Sequence, residues 1–507
     1  MSAVVLIRGP AVLSAGRIGA ATACAPLGIA YLAAYILKNG KSMTIIDAYG
    51  EDPFRKTDKD GYFIYGLLNE DVMKIIPQGA KVVGFSCMFS NEWIYLKEII
   101  KDVRKHFPDA VIVLGGEHAT ALTEYCLSSC KELDYVIRGE GEWSFSYLID
   151  FIMDGKGRIE DIGGLAYRAS GEKIFINPPA GRINNLDEIP WPAWHLVPLE
   201  NYLKNGIAII GAKGSRIMPI LASRGCPYSC KFCSSKRMWG RLYRIRDYEN
   251  VINEIKYYKE KYNITGFELH DTTFIMNKKW TIAFAKRLIE EGLLLNWNVQ
   301  ATRSEAIDKD VINYLFESGC KNLTLTPDSG SKKQIIDMDK KVDLKKITER
   351  IKILNRKKII LKVNLVIGFP NERHNDIWKS ILFGIKLSLL GTSNITFYRF
   401  VPYPGSDYFE LLQERKMIPD YGNDFDRFLV TNIYNELSDI RSYSKNISDT
   451  LLKYYLFFGY IITQLIHLIS HPWHIFKMIS RIVDNKPQSQ IEGLIINLMR
   501  KIAPQWF

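Results

Sequence analysis

Two successive series of alternating strand and helix patterns, joined by a proline-rich stretch and followed by an apolar segment that fits neither, predict an α/β chain. The expected order is a doubly wound, Rossmann-like parallel sheet over residues 1–155, a hairpin and linker over 156–215, a partial (β/α)6 barrel over 216–424 and a helical region over 425–507. A chain of 507 residues is too long for one ordinary core, which agrees with two large domains and a tail. With 47% hydrophobic and 24% charged residues it has the composition of a folded globular protein.

In the first series, the β-rich runs AVVLI (3–7), MTIIDA (43–48), KVVGFS (81–86), VIVLGG (111–116) and YVIRGEGE (135–142) alternate with amphipathic stretches such as EWIYLKEIIKDVRKHF. Strands separated by helices of this length pair in parallel, with helices on both faces. The opening MSAVVLIRGP reads as a first strand and not a signal peptide, because no charged leader precedes its apolar run. Ligands of such sheets sit beyond the carboxyl ends of strands. Asp47, Ser86, Gly115, Gly116, His118, Thr120, Gly139 and Glu140 all fall there.

The stretch GGLAYRASGEKIFINPP predicts a hairpin, and the prolines that follow it forbid a regular helix, so 156–215 reads as a connection wrapping between domains. The second series runs through IMPILAS (217–223), GFELHD (266–271), WNVQAT (297–302), NLTLTP (322–327), IILKVNLVIGFP (359–370) and NITFYRF (394–400). Helical patterns between these runs predict a partial barrel of parallel strands, whose active site sits at the carboxyl face.

The tail segment LLKYYLFFGYIITQLIHLI (451–469) is close to the roughly 20 apolar residues of a spanning helix, but Lys453, Gln464 and His467 interrupt it. Over 441–507 there are eight Lys or Arg against three Asp or Glu, a balance that suits an anionic membrane surface reached through 451–480. A helical lid packed on the barrel explains the same residues and is the preferred reading. The net charge of +12 suits an anionic cofactor, an acidic substrate or a membrane surface and selects none of them. No stripe of basic residues interleaved with aromatics points to nucleic acid.

The run ASRGCPYSCKFCSS places Cys226, Cys230 and Cys233 at C-x-x-x-C-x-x-C, directly after the first barrel strand. Iron–sulfur clusters are normally held by four thiolates, so a four-iron cluster on this trio keeps one iron open to a small molecule. A structural zinc site would want a fourth Cys or His nearby, and His195 and His270 are distant in sequence. The remaining cysteines, Cys24, Cys87, Cys126, Cys130 and Cys320, lie in apolar surroundings and read as buried small hydrophobes of a reducing cytoplasm. Cys126 and Cys130 repeat the i, i+4 spacing, and inward packing of two thiols on one helix explains them.

From about 217 to 405 the chain resembles the radical S-adenosylmethionine superfamily. Phe232 matches an aromatic that in the family lies near the adenine; His270 and Asp271, in GFELHDTTF, stand where the family has a pair of acids. Arg303, in QATR, matches a family arginine at the end of the third strand. The family's E-S-G-S turn appears as Asp328, Ser329, Gly330 and Ser331, a departure that shortens the acidic side chain. Gly368, Phe369 and Pro370 match the G-x-P turn, and VPYPGS (401–406) a P-x-P-G-[ST] stretch. The resemblance implies a 4Fe-4S cluster on the cysteine trio, S-adenosylmethionine contacts from Phe232, Asp271, Arg303, Asp328 and Gly368, and a 5′-deoxyadenosyl radical formed with one electron from a flavodoxin- or ferredoxin-type reductant.

The first domain resembles the cobalamin-binding domain that precedes the barrel in one branch of that superfamily, through APLGIAYLAAYI (25–36), Asp47, VVGFS (82–86), LGGEHAT (114–120) and IRGEGE (137–142). The run D-x-H-x-x-G, whose histidine ligates cobalt in classical cobalamin domains, is absent, and His118 lies in a different motif. The resemblance therefore implies cobalamin held without a lower histidine; the alternative is a remnant sheet that has lost cobalamin and only docks substrate. The expected function is a cytoplasmic, cobalamin-dependent C-methyltransferase acting on an unknown small-molecule or lipid substrate. A radical cyclase, rearrangement or oxidation enzyme is the alternative, and a non-catalytic iron–sulfur or zinc module is the reading of another class.

Overall fold

The computed structural model describes residues 3–16, 24–169, 172–208, 215–303, 305–357, 359–434, 436, 439–483, 492, 496 and 499. Strands of the first domain are β1 (Val4–Arg8), β2 (Ala11–Ser14), β3 (Met43–Asp47), β4 (Lys56–Lys59), β5 (Tyr62–Tyr65), β6 (Val82–Ser86), β7 (Val111–Gly115), β8 (Tyr135–Ile137), β9 (Leu165–Arg168) and β10 (Ile174–Ile176). The five runs expected to pair in parallel do so, in spatial order β3-β1-β6-β7-β8. The order reverses between β1 and β6, and that reversal opens a crevice at the carboxyl ends.

Two features depart from the sequence expectation. The strands β2, β5 and β4 form a separate antiparallel sheet, closed by Asp60 and Gly61 at φ +46° and +92°, the left-handed pair of a tight hairpin turn. The β9–β10 hairpin, expected within the connection, adds antiparallel to β8 and widens the first sheet to seven strands. That sheet therefore reaches Ile176, past the expected boundary at 155.

The second domain contains β11 (Ile217–Ile220), the short pair β12 (Ser223–Arg224) and β13 (Arg244–Ile245), β14 (Gly266–Leu269), β15 (Asn296–Thr302), β16 (Cys320–Asp328), β17 (Ile360–Ile367) and β18 (Asn394–Arg399). Six of them form an all-parallel sheet in the sequential order β11-β14-β15-β16-β17-β18, as a partial barrel requires. Along β17, Leu361, Val363, Leu365 and Ile367 are buried in the core shared with the surrounding helices. The other face carries Lys362 and Asn364, and strand register continues that row through Thr324 and Asn322 to Asn298 and Glu268. The concave side is thus polar.

In the tail, the helix Asp449–Ser470 lays Leu452, Tyr455, Gly459 and Thr463 against the barrel, with Tyr455 and Phe458 around the Trp378 ring at 5.7 and 5.6 Å. It is the packed helix the sequence favours. Its length and composition would also allow it to cross a membrane, and only 33% of its most apolar window is buried. Tyr454, Phe457, Ile461, Leu465 and Ile469 are exposed along the other face, followed by Trp473, Phe476, Ile479 and Val483 of the helix Trp473–Val483.

Candidate active site

Beyond β11, the β12–β13 pair ends at Arg224, and the chain then turns through Gly225 into the cysteine loop. Gly225 has φ +87°, and a Cβ there would stand 1.9 Å from the Leu242 carbonyl oxygen, so only glycine fits. The backbone N–H of Lys231 donates to Met338 O at 3.1 Å, its carbonyl accepts from Tyr408 N at 3.1 Å, and Ser229 Oγ donates to Asp339 at 2.6 Å. Two separate segments, Met338–Asp339 and the start of the helix at Tyr408, therefore hold the loop. All three cysteines are free, partly buried thiols, and Cys233 Sγ donates to Ser235 Oγ at 3.3 Å.

Burial pushes the Cys230 thiol up to about 11 against the pull of Lys340 and Arg303, and burial raises Cys233 as well. Cations close to a buried thiol suit a group bound as thiolates. Among the described residues no three His, Cys, Asp or Glu side chains form a group that could hold a single metal ion. Partly buried thiols on a glycine-turned loop, with cations beside them, fit a larger cluster.

The expected barrel residues surround this loop. Phe232 meets Phe369 edge-on at 5.8 Å, with Lys340 Nζ 5.6 Å from its centroid. Lys340 in turn pairs with Asp328, which is buried and held left-handed at φ +61°. Arg303 stacks 3.6 Å over the Tyr228 ring and donates to Glu305 at 2.7 Å, leaving its buried Nε without a partner. Asp271 accepts from the Ala222 N–H at 3.2 Å and from the Ser223 hydroxyl; burial pushes it up to about 6. Asp271 thereby ties the end of β14 to the segment leading into the cysteine loop. Burial pulls the His270 imidazole down, but the hydrogen-bonded Cys24 thiol and the Glu268 carboxylate at 3.4 Å outweigh it, pushing it up to about 10.

Glu372, four residues after Gly368, lies outside the sequence expectation. It is fully buried and accepts from the N–H groups of Gly368 at 2.6 Å and Phe369 at 3.2 Å, which sets the turn after β17. Burial pushes its carboxyl from 4.5 up to about 8. A carboxyl raised in the folded state binds its proton more tightly there than when unfolded, so its stabilising share is present below pH 4.5 and lost as pH rises toward 8. Glu372→Gln keeps an acceptor oxygen without the charge. Urea unfolding should show the wild type losing stability relative to this variant from about pH 5 to pH 8; parallel pH profiles would exclude a protonated Glu372.

In the first domain the expected residues divide. Ser86 and Gly115 are register partners at the ends of β6 and β7, both half-buried, and a Cβ on Gly115 would find only the Ile137 carbonyl, 3.9 Å away. This is an open ledge against which a flat ligand could lie. Gly116, at φ +106°, is packed instead on the Cys87 carbonyl, 2.4 Å from where a Cβ would stand. Thr120 Oγ1 accepts from Gly139 N–H at 2.9 Å and donates to Gly116 O at 2.8 Å.

Asp47 is fully buried and accepts from Tyr202 OH at 2.6 Å and Gly50 N–H at 3.0 Å, with Arg8 at 3.3 Å. His118 is buried against the Trp93 ring, with Ser90 Oγ 2.9 Å from Nδ1, and burial pushes it down to about 3. Its ring is therefore a neutral member of the domain core.

Glu140 reaches out of the first domain altogether. Its carboxylate meets Arg224 at 3.0 Å, Arg244 at 2.9 Å and Arg182 at 3.4 Å, and Glu142 meets Arg224 at 2.7 Å. Arg224 also lies 5.4 Å over the Tyr31 ring. This buried ion cluster, together with a hydrogen bond from Ser234 to Glu117, clasps the strand-end loops of the first domain onto the cysteine loop. The arginines were outside the sequence expectation; the signal for Arg224 was its place two residues before Cys226, opposite an acidic GEGE run.

The B12 binding domain model matches residues 15–149, and the Radical SAM superfamily model matches 220–384. The chain is 30% identical over 387 residues to an uncharacterized methyltransferase of Pyrococcus horikoshii, spanning 76% of this chain and 78% of that one. It is 26% identical over 403 residues to the anaerobic magnesium-protoporphyrin IX monomethyl ester cyclase of Rubrivivax gelatinosus, spanning 78% and 68%. In fold it is similar to the cobalamin-dependent S-adenosylmethionine radical enzyme OxsB with aqua-cobalamin and S-adenosylmethionine bound, with a TM-score of 0.68 at 14% identity, covering 99% of this chain and 75% of that one. The chain thus belongs to the cobalamin-dependent radical S-adenosylmethionine enzymes, whose cofactors are a 4Fe-4S cluster, S-adenosylmethionine and cobalamin.

Proposed function

We propose that the protein is a C-methyltransferase whose substrate presents polar groups to the concave face of the barrel. The observation that carries this reading is the clasp: Glu140–Arg224 and Glu117–Ser234 bring the strand ends of the cobalamin domain against the cysteine loop. When bound, the cofactors supply one electron, a hydrogen-abstracting radical and a transferable methyl group. The chain's own part is to hold and to shield. Phe232, Lys340 and Arg303 enclose the cysteine loop, while Lys362, hydrogen-bonded to Tyr398 at 3.0 Å, and Asn364 offer polar contacts from β17. Water exclusion falls to the clasped first domain.

Reconstituted anaerobically and given S-adenosylmethionine, a one-electron reductant of flavodoxin or ferredoxin type and extract of the source cells, the protein should form both 5′-deoxyadenosine and S-adenosylhomocysteine. The second product reports methyl transfer. 5′-Deoxyadenosine alone would replace methylation by the cyclase or oxidation reading, which the Rubrivivax relative's activity keeps in view.

The proposal extends to a cytoplasmic enzyme that touches membranes peripherally through 451–480. Its support is the exposed apolar face of the two tail helices beside a basic balance of residues. Removing 451–507 should abolish flotation with phosphatidylglycerol vesicles, and undiminished flotation would reject the extension.

A further inference from the structure

A cavity of about 300 Å3 lies between the helix Lys332–Asp337, the segment after β17 and the chain leading into the tail helix, lined by Lys333, Gln334, Asp337, Arg373, Lys445 and Asn446. None of its lining residues belongs to the polar row of the concave face or to the cysteine loop. Lys333, Arg373 and Lys445 are exposed cations from three different segments, and none of the three forms an ion pair among the described residues. Asp337, the carboxylate in the lining, is already engaged by Tyr408 OH at 3.0 Å and the Asn371 amide at 3.4 Å.

Gln334 supplies the independent sign of a ligand. It is 2% exposed, and its buried amide nitrogen has no hydrogen-bond partner. Buried donors are normally satisfied, and this orphan belongs to a residue of the cavity lining. Three cations without an ion pair and an orphan amide donor therefore share a lining whose one carboxylate, Asp337, is turned to Tyr408 and Asn371. A planar carboxylate offers two oxygens along one edge. A phosphate offers charge and acceptors in several directions, matching cations that approach from three segments.

We infer that this cavity binds the phosphate of a phosphoester. The chemistry is the same whether that phosphate belongs to a soluble metabolite or to a lipid headgroup. The helix that contributes Lys333 and Gln334 continues into Met338 and Asp339, two of the residues that hold the cysteine loop. An occupant would therefore brace the segment supporting the cluster.

The test titrates the full-length protein with glycerol 3-phosphate by calorimetry and, separately, with phosphatidic acid vesicles by flotation. Saturable binding is expected to at least one probe, weakened at least tenfold by combining K333Q, R373Q and K445Q, and several-fold by Gln334→Leu. The three cations are exposed, so their combined variant should fold even if Gln334→Leu does not. Response to glycerol 3-phosphate assigns a soluble phosphoester, and response to the vesicles alone assigns a headgroup. No saturable binding to either probe, or equal binding by the triple variant, overturns the inference.

Discussion

Replacing any one of Cys226, Cys230 or Cys233 by alanine should remove the iron–sulfur cluster and with it the radical chemistry. After anaerobic loading with iron and sulfide, wild-type protein is expected to carry about four iron atoms per chain and each variant close to none. The reductant-dependent yield of 5′-deoxyadenosine should fall by roughly 10³-fold or more. The reason is the count of donors. Three thiolates already leave one iron without a protein ligand, so a site reduced to two loses its geometric hold on the cube. The loop itself should survive, because Gly225, the Lys231 backbone contacts and the Ser229–Asp339 hydrogen bond do not involve the thiols. Folding and iron loss are therefore separable by circular dichroism, and a correctly folded variant that still takes up four irons would refute the assignment.

How legible this site was follows from the kind of signal each part leaves. The cysteine trio and the succession of strands along the chain were readable because spacing and alternation are local properties of the chain. Asp328 shows the opposite case. Its partner Lys340 is close in sequence, yet nothing local announces that the pair is buried beneath Phe232. The residues expected to line the first domain's cleft could not be told apart: Ser86 and Gly115 form an open ledge, whereas Asp47 and His118 are consumed by Tyr202, Arg8, Ser90 and Trp93. Those partners are set by the linker and by packing, which periodicity does not encode. Glu140 was hidden in the same way, because its three arginines come from the linker and from the chain on either side of the cysteine loop.

That ion cluster leads to the second large effect. Arg224→Met should destabilise the protein by about 3–5 kcal/mol, since removing one partner of a buried pair leaves an uncompensated charge in a low-dielectric site. The side chains of Arg224, Glu140 and Glu142 are only 6%, 3% and 6% exposed, so solvent screening offers little relief. The loss falls unequally. Glu140 keeps Arg244 and Arg182, while Glu142 is stripped of its ionic partner, which points to the lower end of that range. Restoring neutrality by adding Glu142→Gln should recover much of the loss, because the penalty lies in the orphaned charge and not in the missing attraction. Cobalamin retention, read from its absorbance after gel filtration, should separate the two roles of the cluster. The single variant is expected to lose both stability and cofactor; the double variant should regain stability but still release cobalamin faster than wild type, because the Arg224 arm of the clasp is still missing. An Arg224→Met protein with wild-type urea midpoint and cobalamin content would show that the first domain is held over the barrel by other contacts.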